Sequence, residues 1–483
     1  MSLFEVLNFA DIEKWDHNTD VVVVGFGSAG GCAAIEAVRA GAKVLILERA
    51  SGGGGTTALA AGHFYLGGGT RVQKACGIDD TVEDMFNYLM AVTPDPDEAK
   101  IRLYCNESVE HFNWLVEHGV LFNDSMYKSK HVVQPTDECL IWSGNEKVWP
   151  YIEKAKPAPR GHKVAKEGEQ GGGFLMERLI EYVKKAEIPV EYNAGACALI
   201  VDADKRIVGV QYKQFGEFKQ VLAKKGVILA AGGFAMNDAM LKEYCPQLAT
   251  RATYKQGNPF DDGSGIQLGL AVGGQAIHMD GCLLTSPIYP PENLLKGVLI
   301  NAEGKRFVTE DSYHAKTTLA MAQQPGGTVY LIVDNEIFAR PQLMGQKLID
   351  AAESYEELEG ILKLPTGSLV ATMKSYNEHA ANGEDPEFHK YHDWLKPLDQ
   401  GPFGAFECSY GKAPYVGFTL GGLKTSIDAE VLDHNDQPIP GLYAAGACAS
   451  NIAQDGIGYS SGTCIGEGTF FGRRAGRFAA QNS

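Results

Sequence analysis

The sequence of 483 residues predicts an α/β fold that begins with a strand, a glycine-rich turn and a helix. A short apolar run, Asp20 to Val24, is followed by glycines at the spacing G-x-G-x-x-G. A second apolar run, Lys43 to Leu47, follows the predicted helix, and a third within Lys224–Asn237 again meets small residues. Strands that alternate with helices in this way are typical of a parallel sheet.

The residues of the first turn indicate a dinucleotide site. Gly25 and Gly27 allow a tight turn with close backbone approach, and Gly30 lets the helix pack on the strand. The N-terminus of that helix can hold a pyrophosphate. Glu48 follows the second strand, at the separation where a carboxylate accepts hydrogen bonds from an adenosine ribose, which favours FAD or NAD over NADP. The sequence therefore predicts a Rossmann-like nucleotide-binding domain.

Composition and charge exclude several classes of function. The formal net charge of −17 argues against nucleic acid as a partner, because counterion release needs clustered Lys and Arg. The ten cysteines include no CxxC pair, which favours reduced thiols in a cytoplasm and no metal site. The N-terminus lacks a basic-then-apolar secretory pattern, and no apolar run approaches the ~20 residues of a membrane-spanning helix. We therefore expect a soluble cytoplasmic protein without a transmembrane segment.

Between these signals the predicted elements follow in order. The stretch Ser51–Thr70 is too glycine-rich for a stable helix and suits backbone contact with a bulky ligand. A helix is predicted from Asp80 to about Val92, and another has its hydrophobic face at Phe174–Val183. The stretch Glu191–Tyr212 alternates between apolar and polar residues and turns at Asp202–Lys205, as a β-hairpin does.

The segment from Leu283 to Gly401 differs from both ends of the chain. It contains aromatic residues, prolines and charged helical stretches at Asp350–Leu362 and Leu369–Gly383, but no glycine fingerprint. After Gly401 the glycine-rich composition returns and continues to a last helix, Gly466–Ala480. We expect a cofactor domain in two parts with an inserted α+β catalytic domain, at residues 1–282, 283–401 and 402–483.

A series of motifs resembles one flavoprotein family over nearly the whole chain. In order they are GFGSAG, Glu48, TTALAAG, LAAGGF, DDGSG with AVGG, GKRFVTED, TLGGL and IPGLYAAG. They resemble the fumarate reductases and 3-ketosteroid dehydrogenases, which implies FAD, a glutathione-reductase-like FAD-binding domain and a substrate between that domain and the insert. Some members attach FAD through a histidine in the loop after the ribose acid. Thr56 and Thr57 stand in that neighbourhood here, so we expect noncovalent FAD.

The resemblance also implies where the cofactor lies. Thr463–Ile465 begin a helix, and its N-terminus can stabilise negative charge at the N1 and O2 edge of the reduced flavin. The full set of expected contacts is Gly25, Gly27, Ser28, Ala29 and Gly30 at the pyrophosphate, Glu48 at the ribose, Ala196 at the adenine, Thr56, Thr57, Gly62, Asp262, Ala447, Thr463, Cys464 and Ile465 at the ribityl chain or flavin, and Arg49, Ala231 and Gly232 beside them.

The positions that hold the substrate of fumarate reductases carry other residues here. Those enzymes bind a dicarboxylate with arginines and a histidine, because two desolvated carboxylates need charged partners. The corresponding positions of this sequence are Asn293, Leu295, Phe418 and Tyr459. A pocket without those charges and with aromatic side chains should prefer a large, uncharged, hydrophobic ligand, which argues against fumarate.

The C-terminal motif resembles that of one steroid branch. Tyr459-Ser460-Ser461-Gly462, together with Tyr313 after GKRFVTED, resembles the 3-ketosteroid Δ4-(5α)-dehydrogenases. The Δ1-dehydrogenases carry proline and glycine after the tyrosine instead. The resemblance implies that a 3-keto-5α-steroid gains a C4–C5 double bond by proton abstraction at C4 and hydride transfer from C5 to flavin N5.

Three residues are the candidates for this chemistry. Tyr459 can donate a hydrogen bond to the ketone oxygen and meet the charge that develops on an enolate. Ser461 can take the C4 proton, and because a free serine is a poor base, Tyr313 is the expected relay. The alternatives are that the tyrosines are packed with their hydroxyls tied to backbone, and that Ser461 only hydrogen-bonds its turn.

Two other functions remain open at this point. Another flavoenzyme of the family, a Δ1-dehydrogenase or another enone oxidoreductase, is compatible with the same fold, because fold does not fix chemistry. A noncatalytic flavin-binding redox module is the second, since ten cysteines are present. The sequence does not specify the electron acceptor.

Overall fold

The computed structural model describes residues 4–481; the remaining residues of the predicted first and last segments, 1–3 and 482–483, lie outside the described part. Within it the strands are β1 (Glu5–Asn8), β2 (His17–Val24), β3 (Val44–Leu47), β4 (His63–Tyr65), β5 (Leu140–Ile141), β6 (Gly161–Lys163), β7 (Val190–Glu191), β8 (Ala194–Val201), β9 (Ile207–Gln214), β10 (Glu217–Leu229), β11 (Thr253–Lys255), β12 (Ala276–Ile277), β13 (Cys282–Thr285), β14 (Val298–Asn301), β15 (Val329–Val333), β16 (Leu348–Ala352), β17 (Phe403–Glu407), β18 (Tyr415–Thr419), β19 (Gly422–Leu423), β20 (Glu430–Leu432) and β21 (Pro438–Ala444).

The α-helices of the same range are α1 (Ser28–Arg39), α2 (Arg71–Ala75), α3 (Val82–Val92), α4 (Glu98–Asn106), α5 (Ser108–Glu117), α6 (Gly171–Lys185), α7 (Asp238–Tyr244), α8 (Ser264–Ala271), α9 (His314–Ala322), α10 (Tyr355–Leu362), α11 (Ser368–Ala381) and α12 (Thr463–Gln481). The predicted helices at Asp80–Val92, Phe174–Val183 and Leu369–Gly383 correspond to α3, α6 and α11. The last helix begins at Thr463, three residues before its predicted start at Gly466.

The largest sheet has nine strands in the described range and carries the nucleotide-binding turn. Its order is β1-β8-β9-β10-β2-β3-β7, with β21 pairing to the end of β10 and β20 to β21. Strands β2, β3, β7 and β21 and the end of β10 run parallel. The run Val21–Val24 is buried, as expected for a parallel strand with both faces covered. The α/β class is therefore confirmed.

The predicted hairpin is also confirmed. Strands β8 and β9 pair antiparallel on either side of Asp202–Lys205. The Asp202 carboxylate closes the turn by accepting the backbone N–H groups of Asp204 and Arg206 at 3.0 and 2.9 Å. The next strand, β10, begins at Glu217, ahead of the predicted start at Lys224, because it pairs antiparallel with β9 before it joins the parallel sheet.

Three strands of the segment predicted to be an insert, β14, β15 and β16, join β17 in an antiparallel sheet in the order β14-β15-β17-β16. The helix predicted at Asp350–Leu362 is wrong in its first part, because Leu348–Ala352 forms β16 and pairs with β17. Helix α10 begins only after Ser354, whose side chain accepts the N–H of Glu357. Strand β17 lies beyond Gly401, so this sheet extends past the predicted end of the insert.

Helices α1 and α12 pack backbone to backbone. A Cβ on Gly472 would lie 2.4 Å from the carbonyl oxygen of Ala29, and one on Gly476 would lie 2.1 Å from that of Ala33. Both pairs advance by four residues, so the helices run parallel, and α12 begins about eight residues, or roughly 12 Å, before the level of the α1 N-terminus. The N-terminus of α12 thus extends beyond that of α1 in the same direction.

Gly476→Ala should lower the free energy of unfolding by about 1–3 kcal/mol or more, because the new methyl group meets backbone that cannot move aside. Chemical denaturation of the purified protein measures this change. The matched control is Gly360→Ala in α10, where nothing lies within 4 Å of the added Cβ. There alanine should raise the free energy of unfolding by about 0.5–1 kcal/mol. Equal effects at the two positions would contradict the close packing of α1 and α12.

Candidate active site

A cavity of about 480 Å³ extends from the C-terminal ends of β2 and β3 to the beginning of α12. Most of the predicted cofactor residues line it: Gly25, Gly27, Ser28, Ala29, Glu48, Arg49, Thr56, Thr57, Gly62, Ala196, Ala231, Gly232, Ala447, Cys464 and Ile465. The predicted contacts Gly30, Asp262 and Thr463 are not among its lining residues. The three predicted catalytic residues, Tyr313, Tyr459 and Ser461, line the same cavity.

Close backbone contacts require glycine at both ends of the glycine turn. Gly25 has φ +104°, and a Cβ there would lie 2.3 Å from the carbonyl oxygen of Ala230 at the end of β10. A Cβ on Gly30 would lie 2.0 Å from the oxygen of Gly25, so Gly30 packs the helix and does not line the cavity. The N-cap of α1 is Gly27, which has no side chain to satisfy the first-turn N–H groups. Those groups are suited to a phosphate.

Glu48 and Arg49 lie beside this turn. The Glu48 carboxylate accepts the backbone N–H groups of Phe26 and Ala50, each at 2.7 Å. Burial raises its pKa, and these two hydrogen bonds oppose the rise. Arg49 pairs with Asp262 at 2.5 Å and lies over the ring of Phe260. Asp262 therefore orients Arg49 and does not line the cavity itself.

Asp261 is a cavity residue that the sequence interpretation missed. Its Oδ2 accepts the hydroxyl of Thr56 at 3.0 Å, while the Thr57 hydroxyl lies 2.9 Å from that of Ser28. Burial raises the pKa of Asp261 to about 6. The doublet Asp261-Asp262 was the available signal, but a doublet cannot show which of two adjacent carboxylates faces inward.

Tyr313, Tyr459 and Ser461 converge although they come from distant parts of the chain. The hydroxyl of Tyr313 lies 2.8 Å from Oγ of Ser461, and the rings of the two tyrosines are 6.0 Å apart. The Tyr459 hydroxyl accepts the backbone N–H of Cys464 at 3.4 Å, in the first turn of α12, and also contacts the Cys464 thiol. Burial raises the pKa of both tyrosines, so both hydroxyls remain protonated.

The surroundings of this trio are apolar. Tyr313 and Tyr459 pack with Leu283, Ala315, Leu420 and Ala453, and Phe418 meets Tyr459 edge to face at 6.1 Å. Among the described residues that line the cavity, the Asp, Glu, Lys and Arg side chains are Glu48, Arg49 and Asp261, all at the nucleotide turn and the neighbouring loops. No lysine or arginine of this set lies beside Tyr459 to hold a carboxylate.

Asn293 and Leu295, two of the positions matched to the fumarate-reductase motifs, do not line the cavity. Asn293 donates to the carbonyl oxygen of Ile337 at 2.7 Å, and Leu295 is fully buried. Phe418 and Tyr459 do line the cavity, so two of the four positions matched to the fumarate-reductase motifs lie at its wall.

Two buried histidines line the cavity without carrying charge. The Nε2 atom of His63 lies 2.8 Å from Oε1 of Gln134, and Nδ1 of His314 lies 2.6 Å from the Thr285 hydroxyl. Burial lowers the pKa of His63 to about 4 and that of His314 to about 3. Both imidazoles are therefore neutral at neutral pH, and the site gains no cation from them.

Glu467, on the second turn of α12, was also missed from the sequence. Its Oε2 accepts the N–H groups of Ile452 at 2.7 Å and Ala453 at 3.1 Å, which holds Ala453 in the apolar cluster around Tyr459. Burial raises the pKa of Glu467 to about 7. No local sequence signal links Glu467 to a loop 14 or 15 residues earlier.

All ten cysteines are free. Over residues 4–481 there is no group of three or more His, Cys, Asp or Glu side chains arranged to hold a metal ion. Within the same limits, no helix has the length and apolar character needed to cross a membrane.

Comparison with known proteins decides the family. The model of the FAD binding domain family matches residues 20–465. The chain belongs to this family. The residues described above fit FAD: a helix N-terminus without a capping side chain, a glycine turn that a Cβ would block, and a carboxylate at the end of β3. FAD as the predicted cofactor is therefore confirmed, together with the resemblance to fumarate reductases and 3-ketosteroid dehydrogenases, while its noncovalent attachment stays a prediction.

Three relatives show the breadth of the family. The crystal structure of a 3-ketosteroid Δ4-(5α)-dehydrogenase from Rhodococcus jostii RHA1, in complex with 4-androstene-3,17-dione, is 41% identical, with a TM-score of 0.93 over 99% of this chain and 100% of that one. A 3-oxo-5-alpha-steroid 4-dehydrogenase from Comamonas testosteroni is 28% identical over 90% of this chain and 94% of its own. A probable fumarate reductase from Shewanella frigidimarina is 26% identical over 96% of this chain and 75% of its own.

The buried carboxyl of Glu467 should make stability depend on pH. Because its pKa rises from 4.5 to about 7 on folding, its contribution is fully present below pH 4.5 and is lost as pH rises through 7. Glu467→Gln should remove this dependence, so the wild type should lose at most about 3 kcal/mol relative to the variant between pH 4 and 8. Denaturation at several pH values measures the difference.

Glu36→Gln is the control for this prediction. Burial raises the pKa of Glu36, but hydrogen bonding to Trp114 and the charge of Arg473 bring it below its ordinary value. The stability that Glu36 contributes is therefore lost as pH falls, which is the opposite sign. A pH dependence that is unchanged in Glu467→Gln would contradict the assignment.

Proposed function

We propose that the protein is an FAD-dependent 3-ketosteroid dehydrogenase that introduces the C4–C5 double bond of a 3-keto-5α-steroid. The observation that carries this proposal is the meeting of Tyr313, Tyr459 and Ser461 on one apolar, uncharged wall of the cavity. A hydrophobic ketone fits such a wall, whereas a dicarboxylate lacks charged partners there. The 41% identical Rhodococcus enzyme, described in complex with 4-androstene-3,17-dione, supports the same substrate class.

The chain's own residues supply the proton chemistry. FAD, held noncovalently, supplies the acceptor for the hydride that leaves C5. Tyr459 donates to the C3 ketone oxygen, and the Cys464 N–H that its oxygen accepts increases the polarity of its O–H bond. Ser461 takes the C4 proton as its own proton passes to Tyr313, 2.8 Å away. Because burial raises the pKa of Tyr313, this phenol accepts a proton only while it releases one toward solvent.

The same geometry weighs on the alternatives. A Δ1-dehydrogenase or another enone oxidoreductase would use a similar ketone contact. The 41% identity to a Δ4-(5α)-dehydrogenase, together with the paired hydroxyls of Ser461 and Tyr313, supports C4 as the site of proton loss. A redox-sensing module would need a reactive thiol. Cys464 is the cysteine at the cavity wall, and burial raises its pKa to about 12, which disfavours the thiolate.

We also propose a two-part FAD domain with an inserted catalytic domain, and a cytoplasmic location in which the ten free cysteines stay reduced. The substrate partner is a small hydrophobic ketosteroid, and the physiological electron acceptor is unspecified.

Anaerobic titration of the FAD-loaded protein with 5α-androstane-3,17-dione should bleach the flavin absorbance. NMR of the product after turnover with an artificial acceptor should show the new double bond between C4 and C5. A C1–C2 double bond would identify a Δ1-dehydrogenase. Failure of every ketosteroid tried to reduce the flavin would contradict a steroid function and favour a noncatalytic module.

Ser461→Ala, Tyr313→Phe and Tyr459→Phe should each retain FAD and lose about 10²–10⁴-fold in kcat, the range expected for removing a proton-transfer group or an oxyanion donor. Because Ser461 and Tyr313 act as one relay, the double variant Ser461→Ala/Tyr313→Phe should be scarcely slower than the worse single variant. Steady-state kinetics with FAD content measured in each preparation tests this. Fully additive losses would show that the two hydroxyls act independently.

A further inference from the structure

The segment Ser143–Glu146 lies behind the catalytic pair and has no role in the function proposed above. The carbonyl oxygen of Ser143 accepts the backbone N–H of Ser461 at 2.8 Å. Oδ1 of Asn145 accepts the backbone N–H of Tyr313, also at 2.8 Å. Tyr313 and Ser461 are 148 residues apart in the sequence, yet both backbones are held by this one short segment.

Asn145 makes further contacts on the C-terminal side. Its Nδ2 donates to the carbonyl oxygen of Ile457 at 3.3 Å. Its backbone N–H donates to the hydroxyl of Tyr88 at 2.8 Å, and that hydroxyl lies 3.0 Å from Oγ of Ser460. Asn145 is fully buried, so water does not replace these bonds. The Asn145 side chain thus joins the backbones of Tyr313 and Ile457, and its backbone N–H reaches Ser460 through the Tyr88 hydroxyl.

The position of Tyr313 explains why an amide is needed there. Tyr313 is the N-cap of α9, with extended backbone (φ −51°, ψ 135°), so its N–H has no acceptor within the helix. The neighbouring Ile457 carbonyl needs a donor. An asparagine side chain offers an acceptor and a donor on one rigid plane, which fixes the distance between the two backbones.

We propose that Asn145 is a positioning residue that sets the Tyr313–Ser461 hydrogen bond. It does not line the cavity and acts through the backbone of Tyr313. The inference rests on the proposed function, because a proton relay is what makes the 2.8 Å hydroxyl contact matter. A displacement of about 1 Å between relay atoms is enough to slow a reaction about a hundredfold.

Asn377 provides a matched control. Its Nδ2 donates to the carbonyl oxygen of Leu398 at 2.9 Å, and its Oδ1 accepts the Leu398 N–H at 2.8 Å. Asn377 lies in α11 and, like Asn145, makes a pair of side-chain hydrogen bonds to backbone. It does not line the cavity. Asn377→Ala removes comparable bonds without reaching the relay.

The experiment compares Asn145→Ala with Asn377→Ala as FAD-loaded full-length proteins. Stopped-flow flavin reduction is measured with 5α-androstane-3,17-dione and with the same steroid deuterated at C4. Asn145→Ala should reduce flavin about 10–100-fold more slowly, with a larger C4 isotope effect and a steroid dissociation constant within about twofold of wild type. Asn377→Ala should lose thermal stability and keep the wild-type rate. A wild-type rate in Asn145→Ala, or an equal loss in both variants, would overturn the proposal.

A second measurement does not depend on turnover. In the steroid-free, FAD-loaded protein, hydrogen exchange at the Tyr313 amide should be faster in Asn145→Ala and unchanged in Asn377→Ala. If wild type reduces no ketosteroid, the proposed function fails, while unchanged exchange in Asn145→Ala separately overturns the role of Asn145. If the alanine variant does not fold, Asn145→Asp retains the acceptor for Tyr313. It should keep that amide protected and reduce flavin within about threefold of the wild-type rate; a protected amide with an about 10–100-fold slower rate would overturn the proposal.

Discussion

The parallel contact between α1 and α12 is the constraint on which the site depends. Gly472 and Gly476 let the two helices approach until backbone meets backbone. A side chain on either face would push α12 away and move its first turn with it. Because the helices are staggered, the N-terminus of α1 lies at the glycine turn, and that of α12 lies farther along the same cavity, where Cys464 donates to Tyr459. The glycine turn and the Tyr459 end of the cavity thus share one mechanical support.

Charge is distributed unequally along the cavity. The ionisable groups lie near the nucleotide turn, where Glu48 and Arg49 are tied to backbone and to Asp262. The wall formed by Tyr313 and Tyr459 is apolar, and burial keeps His63 and His314 neutral. In such surroundings the hydroxyl dipoles are strong relative to any competing charge. This contrast is the physical basis for the proposal that the apolar wall receives an uncharged ketone.

Local patterns predicted much of this architecture. Val21–Val24, the glycine turn and Glu48 lie within one short stretch, and their strand and helix periodicities are visible without tertiary information. The helix expected at Asp350–Leu362 failed because its first residues are recruited as an edge strand by β17, a partner far along the chain. Asn145 and Glu467 could not be found for the same reason, because each acts through hydrogen bonds to segments that only the fold brings near; for Asp261 the doublet with Asp262 was visible, but the fold decides which of the two faces inward.

The order of the pieces along the chain has a consequence for biosynthesis. Strand β10 pairs with β21, and α1 packs on α12, but β21 and α12 are synthesised much later than their partners. During translation the glycine turn is synthesised early, before β21 and α12 exist, so hydrophobic surface that they later cover is exposed. A nascent chain that has not yet produced α12 therefore lacks one border of the cavity, and the site is complete only after α12 has been synthesised and has docked on α1.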